Sequence, residues 1–480
     1  MFYMRTLQEA YFSYHLAYIV HHILLLIKTA ISTKLAAMKQ NPTFHITTYG
    51  CQMNKNDSER IAGLLSSLGF ALTEDEPNAD LVIINTCSVR QTAENRVYGA
   101  QKKYLQYKKN NPNMIVAVTG CMPGRDKAKK FKKRLPATDL YFPTPDMVHL
   151  PKWIAELRPE LVNTGSEIED YLSIHPLRAP ARQAYVTIQT GCNKFCTYCV
   201  VPYARGMERN RSAKDILEEC RELEAHGIIE ITLLGQTVNS FVAEDPESFS
   251  AGNPYKDHFA ALLWEINKME GLERLHWTAA HPLSMTDEVI DALTLTKQVN
   301  YLHLPVQSGN NDVLRRMNRK YTREQFLKVV KKIKQARPNI ALGSDIIVGF
   351  PGEMREQFDD TLSLYREADF DISYNAQYSP RSGTLGVKLY TDDVSKEEKR
   401  ERWDDLQELM EETARKKNQA HLDTTVKVFV EKIEHGFAHG TTHEMKRARF
   451  PLKDDSLVGT IQTMKVTKAH TWILDGELFT

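Results

Sequence analysis

Cysteine is scarce in this sequence: seven residues in 480, an odd number. So sparse a set excludes the disulfide framework of a secreted domain, and a reducing cytoplasm is the expected compartment. Net charge is nearly absent too. Sixty-two Lys and Arg against sixty-one Asp and Glu leave +1 at pH 7. The molecule is not basic all over, and any surface for nucleic acid must be a local patch. A clean membrane-spanning run is also missing. The most apolar stretch, YFSYHLAYIVHHILLLIK, is broken by His15, His21 and His22 and closed by Lys28, short of the ~20 apolar residues that a spanning helix needs. It lacks the small-residue cleavage site of a signal peptide. Residues 1–42 therefore read as a dispensable extension, with Met38 a natural start, and no membrane association is expected. No Ser–His–Asp set, phosphate-binding loop or paired carboxylate stands out.

The cysteines that are present are placed with purpose. GCNKFCTYC (191–199) sets Cys192, Cys196 and Cys199 in a C-x3-C-x2-C pattern. Three thiolates can converge there while Phe195 and Tyr198 stay free to face a ligand. Soft thiolates select iron–sulfur clusters, zinc or cuprous copper. A structural zinc site wants four protein ligands, and no His sits in the loop. A four-iron cluster held at three corners, with one iron open, fits better. A zinc site completed by a distant His, or a disulfide, remains the alternative.

Upstream, FHITTYG (44–50), LVIIN (81–85) and MIVAVTG (114–120) read as strands alternating with helices, hence as a parallel sheet. Cys51, Cys87 and Cys121 each fall just past the carboxyl end of one of these strands, the edge where open α/β sheets bind ligands. One such Cys is ordinary core filler; three of three predict a shared site. From 185 to about 380 six further strand–helix units follow, the pattern of a partial parallel barrel with its chemistry at the carboxyl-end loops. Arg205 and Arg381 are candidates for holding a cofactor or a substrate phosphate, and the basic runs 102–109 and 125–134 are candidate phosphate contacts. Cys220, on a helix, reads as filler. Beyond a charged helix (395–419), short alternating segments predict a small all-β module. Lys446, Arg447 and Arg449 beside Phe450 suggest contact with unpaired RNA bases there.

GCNKFCTYC resembles the cluster loop of the radical S-adenosylmethionine (SAM) enzymes. TYGCQMNKNDSE, NTCSVRQTAENRVYG and TGCMPG resemble the three cysteine motifs of the methylthiotransferase family within it. The resemblance covers residues 43–480. It implies two [4Fe-4S] clusters, one on Cys192, Cys196 and Cys199 that chelates SAM, the other on Cys51, Cys87 and Cys121. It implies that Tyr198 packs near the adenine, and that Gln236 and Asn239 (in LLGQTVNSF) and Gln307 (in HLPVQSGNND) belong to the cofactor pocket together with Arg205. Thr237 departs from the family's usual Asn. The implied architecture is an amino-terminal α/β domain (43–160), a (β/α)6 radical-SAM core (178–416) and a TRAM, or OB-like, β-domain (419–480). The implied activity is conversion of N6-isopentenyladenosine, next to the tRNA anticodon, to its 2-methylthio derivative. The partners implied are the tRNA anticodon stem-loop and a reduced flavodoxin- or ferredoxin-type electron donor. The alternatives are a sister activity, on threonylcarbamoyl-adenosine or on a ribosomal-protein aspartate, and a non-catalytic RNA-binding protein carrying zinc or a cluster.

Overall fold

The computed structural model describes residues 41–162, 168–179, 181–452 and 454–479. The expectation for residues 1–42 falls, but for its last two residues, outside them.

The amino-terminal domain is a parallel sheet of five strands, β1 (Thr43–Tyr49), β2 (Ala71–Leu72), β3 (Leu81–Thr86), β4 (Ile115–Gly120) and β5 (Leu140–Phe142), in the order β2-β1-β3-β4-β5. β3 and β4 are buried along their whole length, as their unbroken apolar runs require of strands covered on both faces. Helices α1 (Gln52–Ser67) and α2 (Gln91–Asn110) connect the strands; a short helix, α3 (Cys121–Arg125), follows β4. The register places the carboxyl ends side by side: Tyr49 pairs with Thr86, and Thr86 with Gly120. Strands lie about 4.8 Å apart. The residues that follow these three ends are therefore neighbours in space, however far apart in sequence.

The central domain carries β6 (Gln183–Thr187), the short hairpin strands β7 (Gln189–Thr190) and β8 (Arg209–Asn210), then β9 (Glu230–Leu234), β10 (Arg274–Trp277), β11 (Tyr301–His303), β12 (Ala341–Val348) and β13 (Ile372–Gln377). Two parallel sheets, β6-β9-β10 and β11-β12-β13, are joined by a parallel bridge between Leu275 and Gln298. These six strands make the open barrel expected, without pairing between β6 and β13. Its helices include α4 (Val201–Arg205) and α5 (Ala213–Ala225). Cys220, fully buried on α5, is core as expected.

The amino-terminal domain stands against the β6 flank. Asn56 of α1 donates to the Tyr185 carbonyl (3.2 Å) and accepts from Thr187 Oγ1 (2.8 Å). α3 and α4 approach so closely that a Cβ on Gly124 would lie 2.0 Å from the Ala204 carbonyl oxygen. A long helix, α6 (Lys396–Gln419), leads to the last domain. There β14 (Thr425–Glu434), β15 (Phe437–Thr442), β16 (Arg447–Pro451), β17 (Ile461–Ala469) and β18 (Leu474–Leu478) close into a barrel, β14-β15-β16-β18-β17. Its inward residues form a separate small core around Val428, Phe450 and Met464. The β-barrel docks at the amino-terminal ends of the central strands. Arg274, buried at the start of β10, pairs with Glu230 (2.5 Å) and donates to the Thr442 carbonyl (3.2 Å). Lys446 reaches Asp371 (3.1 Å). No helix among the described residues is long and apolar enough to cross a membrane.

Candidate functional site

All six cysteines of the two predicted trios line one cavity of about 910 Å³, bounded by all three domains. The first trio follows from strand register. Cys51 caps the amino-terminal end of α1, Cys87 follows β3, and Cys121 opens α3. The Cys87 thiol lies between those of Cys51 and Cys121 and interacts with both. That sharing favours the thiolate form at the two ends. Contact with Cys87 brings Cys51 down to about 6 and Cys121 to about 7, assisted by the Arg205 guanidinium, while Cys87 is pushed up. Thiolate is the form that binds metal. Gly120 lets the chain turn here: its φ is +103°, and a Cβ would lie 2.4 Å from the Thr86 carbonyl oxygen.

The second trio sits on a loop moulded from both sides. Gly191, at φ +77°, has no room for a Cβ against the Met207 carbonyl. Asn318 donates to the carbonyls of Lys194 (3.2 Å) and Phe195 (3.0 Å), and Thr197 N–H donates to Met317 O (3.0 Å). Arg319 donates to Cys196 Sγ (3.3 Å) and to Pro305 O (3.1 Å). Burial pushes the Cys192 thiol up, and Cys199 to about 12. These thiols need a strong Lewis acid to lose their protons; the cation beside Cys192 is Lys194 and that beside Cys199 is Arg319.

Each trio leaves one corner of a cubane without a protein thiolate, which suits a four-iron cluster whose fourth iron takes another ligand. Among the described residues, no three Cys, His, Asp or Glu side chains enclose a point as a single metal ion requires. Cluster thiolates bind different irons and need no common point.

The other candidates separate. Tyr198 lines the cavity and packs against Val313, Met317, Phe350 and Tyr378. Phe195 instead turns to Tyr203, with ring centroids 6.3 Å apart. Gln236 lines the cavity with a buried, unpartnered Oε1. Gln307 lines it too, at φ +73°, as does Ala279 at φ +64°. Such left-handed backbone at non-glycine residues costs about 1–3 kcal/mol and gathers at functional sites. Asn239 corrects the expectation. It lies off the cavity wall, its Oδ1 accepting from His281 N–H (2.8 Å) and its Nδ2 donating to His281 O (3.0 Å). It shapes the turn that carries Ala279. Arg205 borders the cavity, but both its terminal nitrogens are committed to Asp57, at 2.5 and 3.5 Å, in a pair that joins α4 to α1. Arg381 is likewise engaged across the domain boundary, donating to Gln91 Oε1 (2.7 Å). In the basic run 125–134, Arg125 holds Glu94 (2.6 Å), with Ser88 beside them.

The β-domain group is also corrected. Phe450 is fully buried in the barrel core, Lys446 is paired with Asp371, and Arg449 with Asp475 (2.7 Å). Alternation along β16 sends Phe450 inward, so the four residues form no stacking platform; only Arg447 remains exposed at the cavity. Asp57 and Arg319 escaped the sequence reading. A carboxylate and a guanidinium inside charged motifs carry no local sign that the fold will bury them.

Comparison with known proteins places these features in context. Residues 186–365 match the Radical SAM superfamily, and residues 43–143 match the uncharacterized protein family UPF0004. The chain is 39% identical over 461 residues to the tRNA-2-methylthio-N(6)-dimethylallyladenosine synthase of Clostridium tetani (strain Massachusetts / E88), covering 94% of this chain and 100% of that one. It is 40% identical over 457 residues to the protein of the same name from Bacillus licheniformis, covering 93% and 88%. Among solved structures, the radical S-adenosylmethionine methyltransferase TsrM from Kitasatospora setae, with cobalamin and a [4Fe-4S] cluster bound, superposes with a TM-score of 0.52. Identity is 13%, over 73% of this chain and 75% of that one. This last likeness is one of fold.

Proposed function

The chain belongs to the tRNA-2-methylthio-N(6)-dimethylallyladenosine synthase family of radical-SAM enzymes, and from that premise we propose that it converts N6-isopentenyladenosine beside the tRNA anticodon to its 2-methylthio derivative. The observation that carries this reading is the meeting of six cysteines, in two trios from two domains, on one cavity. The sister activities, on threonylcarbamoyl-adenosine or a ribosomal-protein aspartate, have no comparable support: relatives named for the isopentenyl substrate match 90% or more of the chain.

Cys51, Cys87 and Cys121 hold one [4Fe-4S] cluster, and Cys192, Cys196 and Cys199 the other, together with SAM. When bound, these groups supply the reducing electron, the radical that removes hydrogen from carbon 2 of the adenine, and the methylthio group that replaces it. The protein's part is placement and insulation. Tyr198 offers an aromatic wall for the SAM adenine, while Gln236 presents a free carbonyl oxygen to a donor on the ligand. Gln307, in left-handed backbone, stays bonded to β12 through the Asp345 carbonyl and the Ile347 N–H (2.9 Å each), which fixes its place on the cavity wall. The Arg205–Asp57 pair ties the two cysteine-bearing domains at a fixed separation. A target base must be taken from an unstacked loop, which single-stranded RNA permits. We assign the enzyme to the cytoplasm, with a reduced flavodoxin- or ferredoxin-type protein as electron donor.

The test is nucleoside analysis of tRNA from a deletion strain. The 2-methylthio derivative disappears and isopentenyladenosine accumulates. Unchanged methylthio content refutes the assignment.

A further inference from the structure

Most of the cavity wall is buried or half-buried. The exposed residues on it are Cys51, Val89 and Arg90 from the amino-terminal domain, Tyr374 from β13, and Arg447 and Trp472 from the β-domain. They mark the mouth, on the open side of the central barrel between its two neighbours. Three of them are large apolar or aromatic groups left in water: Val89 is 52% exposed, Tyr374 54% and Trp472 46%. Arg90 and Arg447 are exposed cations with no ion pair among the described residues. The Tyr374 phenol lies within electrostatic reach of both, and its ring packs on His303 with centroids 5.5 Å apart. Trp472 is fixed through its turn: Asn418 of α6 donates to the carbonyls of His470 (2.8 Å) and Thr471 (3.1 Å).

Resting on the function proposed above, we infer that this mouth is a clamp for the single-stranded nucleotides flanking the target adenosine, whose bases stack on Trp472 and Tyr374 and whose phosphates meet Arg90 and Arg447. Aromatic faces beside unpaired guanidiniums are what a splayed RNA loop requires. Because the clamp draws on three domains, it recognises the loop only in the assembled chain. Cys51, exposed at the same mouth, places the first cysteine trio next to the base so presented.

The experiment measures binding of an isopentenylated anticodon stem-loop RNA to the cluster-loaded full chain by fluorescence anisotropy, across a salt series. Trp472→Ala and Tyr374→Ala each weaken binding by about 5- to 150-fold, the range for losing one base–aromatic stack, while Trp472→Phe and Tyr374→Phe retain most of it. Arg90→Ala with Arg447→Ala lowers the slope of log affinity against log salt by about 1.4, two phosphates' worth on a single strand. Circular dichroism is unchanged in each, because the side chains are exposed. If the wild-type chain binds the RNA and neither alanine variant differs from it, the clamp is refuted and the proposed function stands. If the wild-type chain does not bind the RNA, both fall.

Discussion

Replacing Asp57 by Asn tests what holds the two cysteine trios together. The carboxylate and Arg205 are each only 3% exposed, with 2.5 Å between Nη2 and Oδ2. Two unit charges about 4 Å apart at an effective dielectric of 20 attract by about 4 kcal/mol. Breaking a buried pair by removing one partner costs about 3–5 kcal/mol, because the other charge is left buried and alone. The two figures agree, and they amount to a large part of the ~5–15 kcal/mol that stabilises a typical domain. Asp57→Asn should therefore lower the free energy of unfolding by about 4 kcal/mol. The loss should appear first as faster proteolysis between the amino-terminal domain and the barrel. The double variant Asp57→Leu, Arg205→Met removes both charges and should recover most of that stability. It should still bind less iron at the first trio, because Arg205 favours thiolate at Cys51 and Cys121 by more than Asp57 opposes it, and both are gone. Urea titration of wild type, Asp57→Leu, Arg205→Met and their double gives the coupling energy, and iron analysis gives the second readout. A single variant within about 1 kcal/mol of wild type would refute the account, since that is the worth of an exposed pair.

Replacing Cys51, Cys87 and Cys121 together by Ala should lower the iron bound under anaerobic reconstitution from about eight to about four per chain. SAM cleavage should persist while the methylthio product is lost, as read by chromatography of both. Arg319→Met removes the donor to Cys196 Sγ; SAM cleavage should fall by an order of magnitude or more, with Arg319→Lys recovering part, because a charge-assisted hydrogen bond is worth about 1.5–3 kcal/mol. His276 and His281 are held neutral, down to about 3, by burial and then by Arg274 and Arg319 respectively. Below pH 6.5 the unfolded chain takes up protons that the folded chain refuses. Stability should therefore fall as pH drops from 6.5 toward 3, by about 1.4 kcal/mol per pH unit for each ring, and His276→Gln should remove one ring's share of that slope, about 1.4 kcal/mol per pH unit, in urea titrations.

The parallel sheets, the barrel strands and both cysteine trios were legible in the sequence. Buried parallel strands are written as unbroken apolar runs, and a thiol just past a strand end inherits its position from the sheet. Asn239 was misread because a strand-end amide satisfies a backbone turn as readily as it binds a ligand; only its two bonds to His281 decide between them. Phe450 was misread because a patch of cations hid the alternation of β16. Arg205 shows the limit from the other side. The residue was noticed, but its partner, 148 positions away, appears only once the chain is folded.

The hollow at the centre of this protein belongs to no single part of it. Cut the chain at either boundary and each piece keeps a core of its own, yet none keeps a chamber. A change in one lobe is therefore felt where it borders the other two, and the chain must be inherited, exchanged or engineered whole.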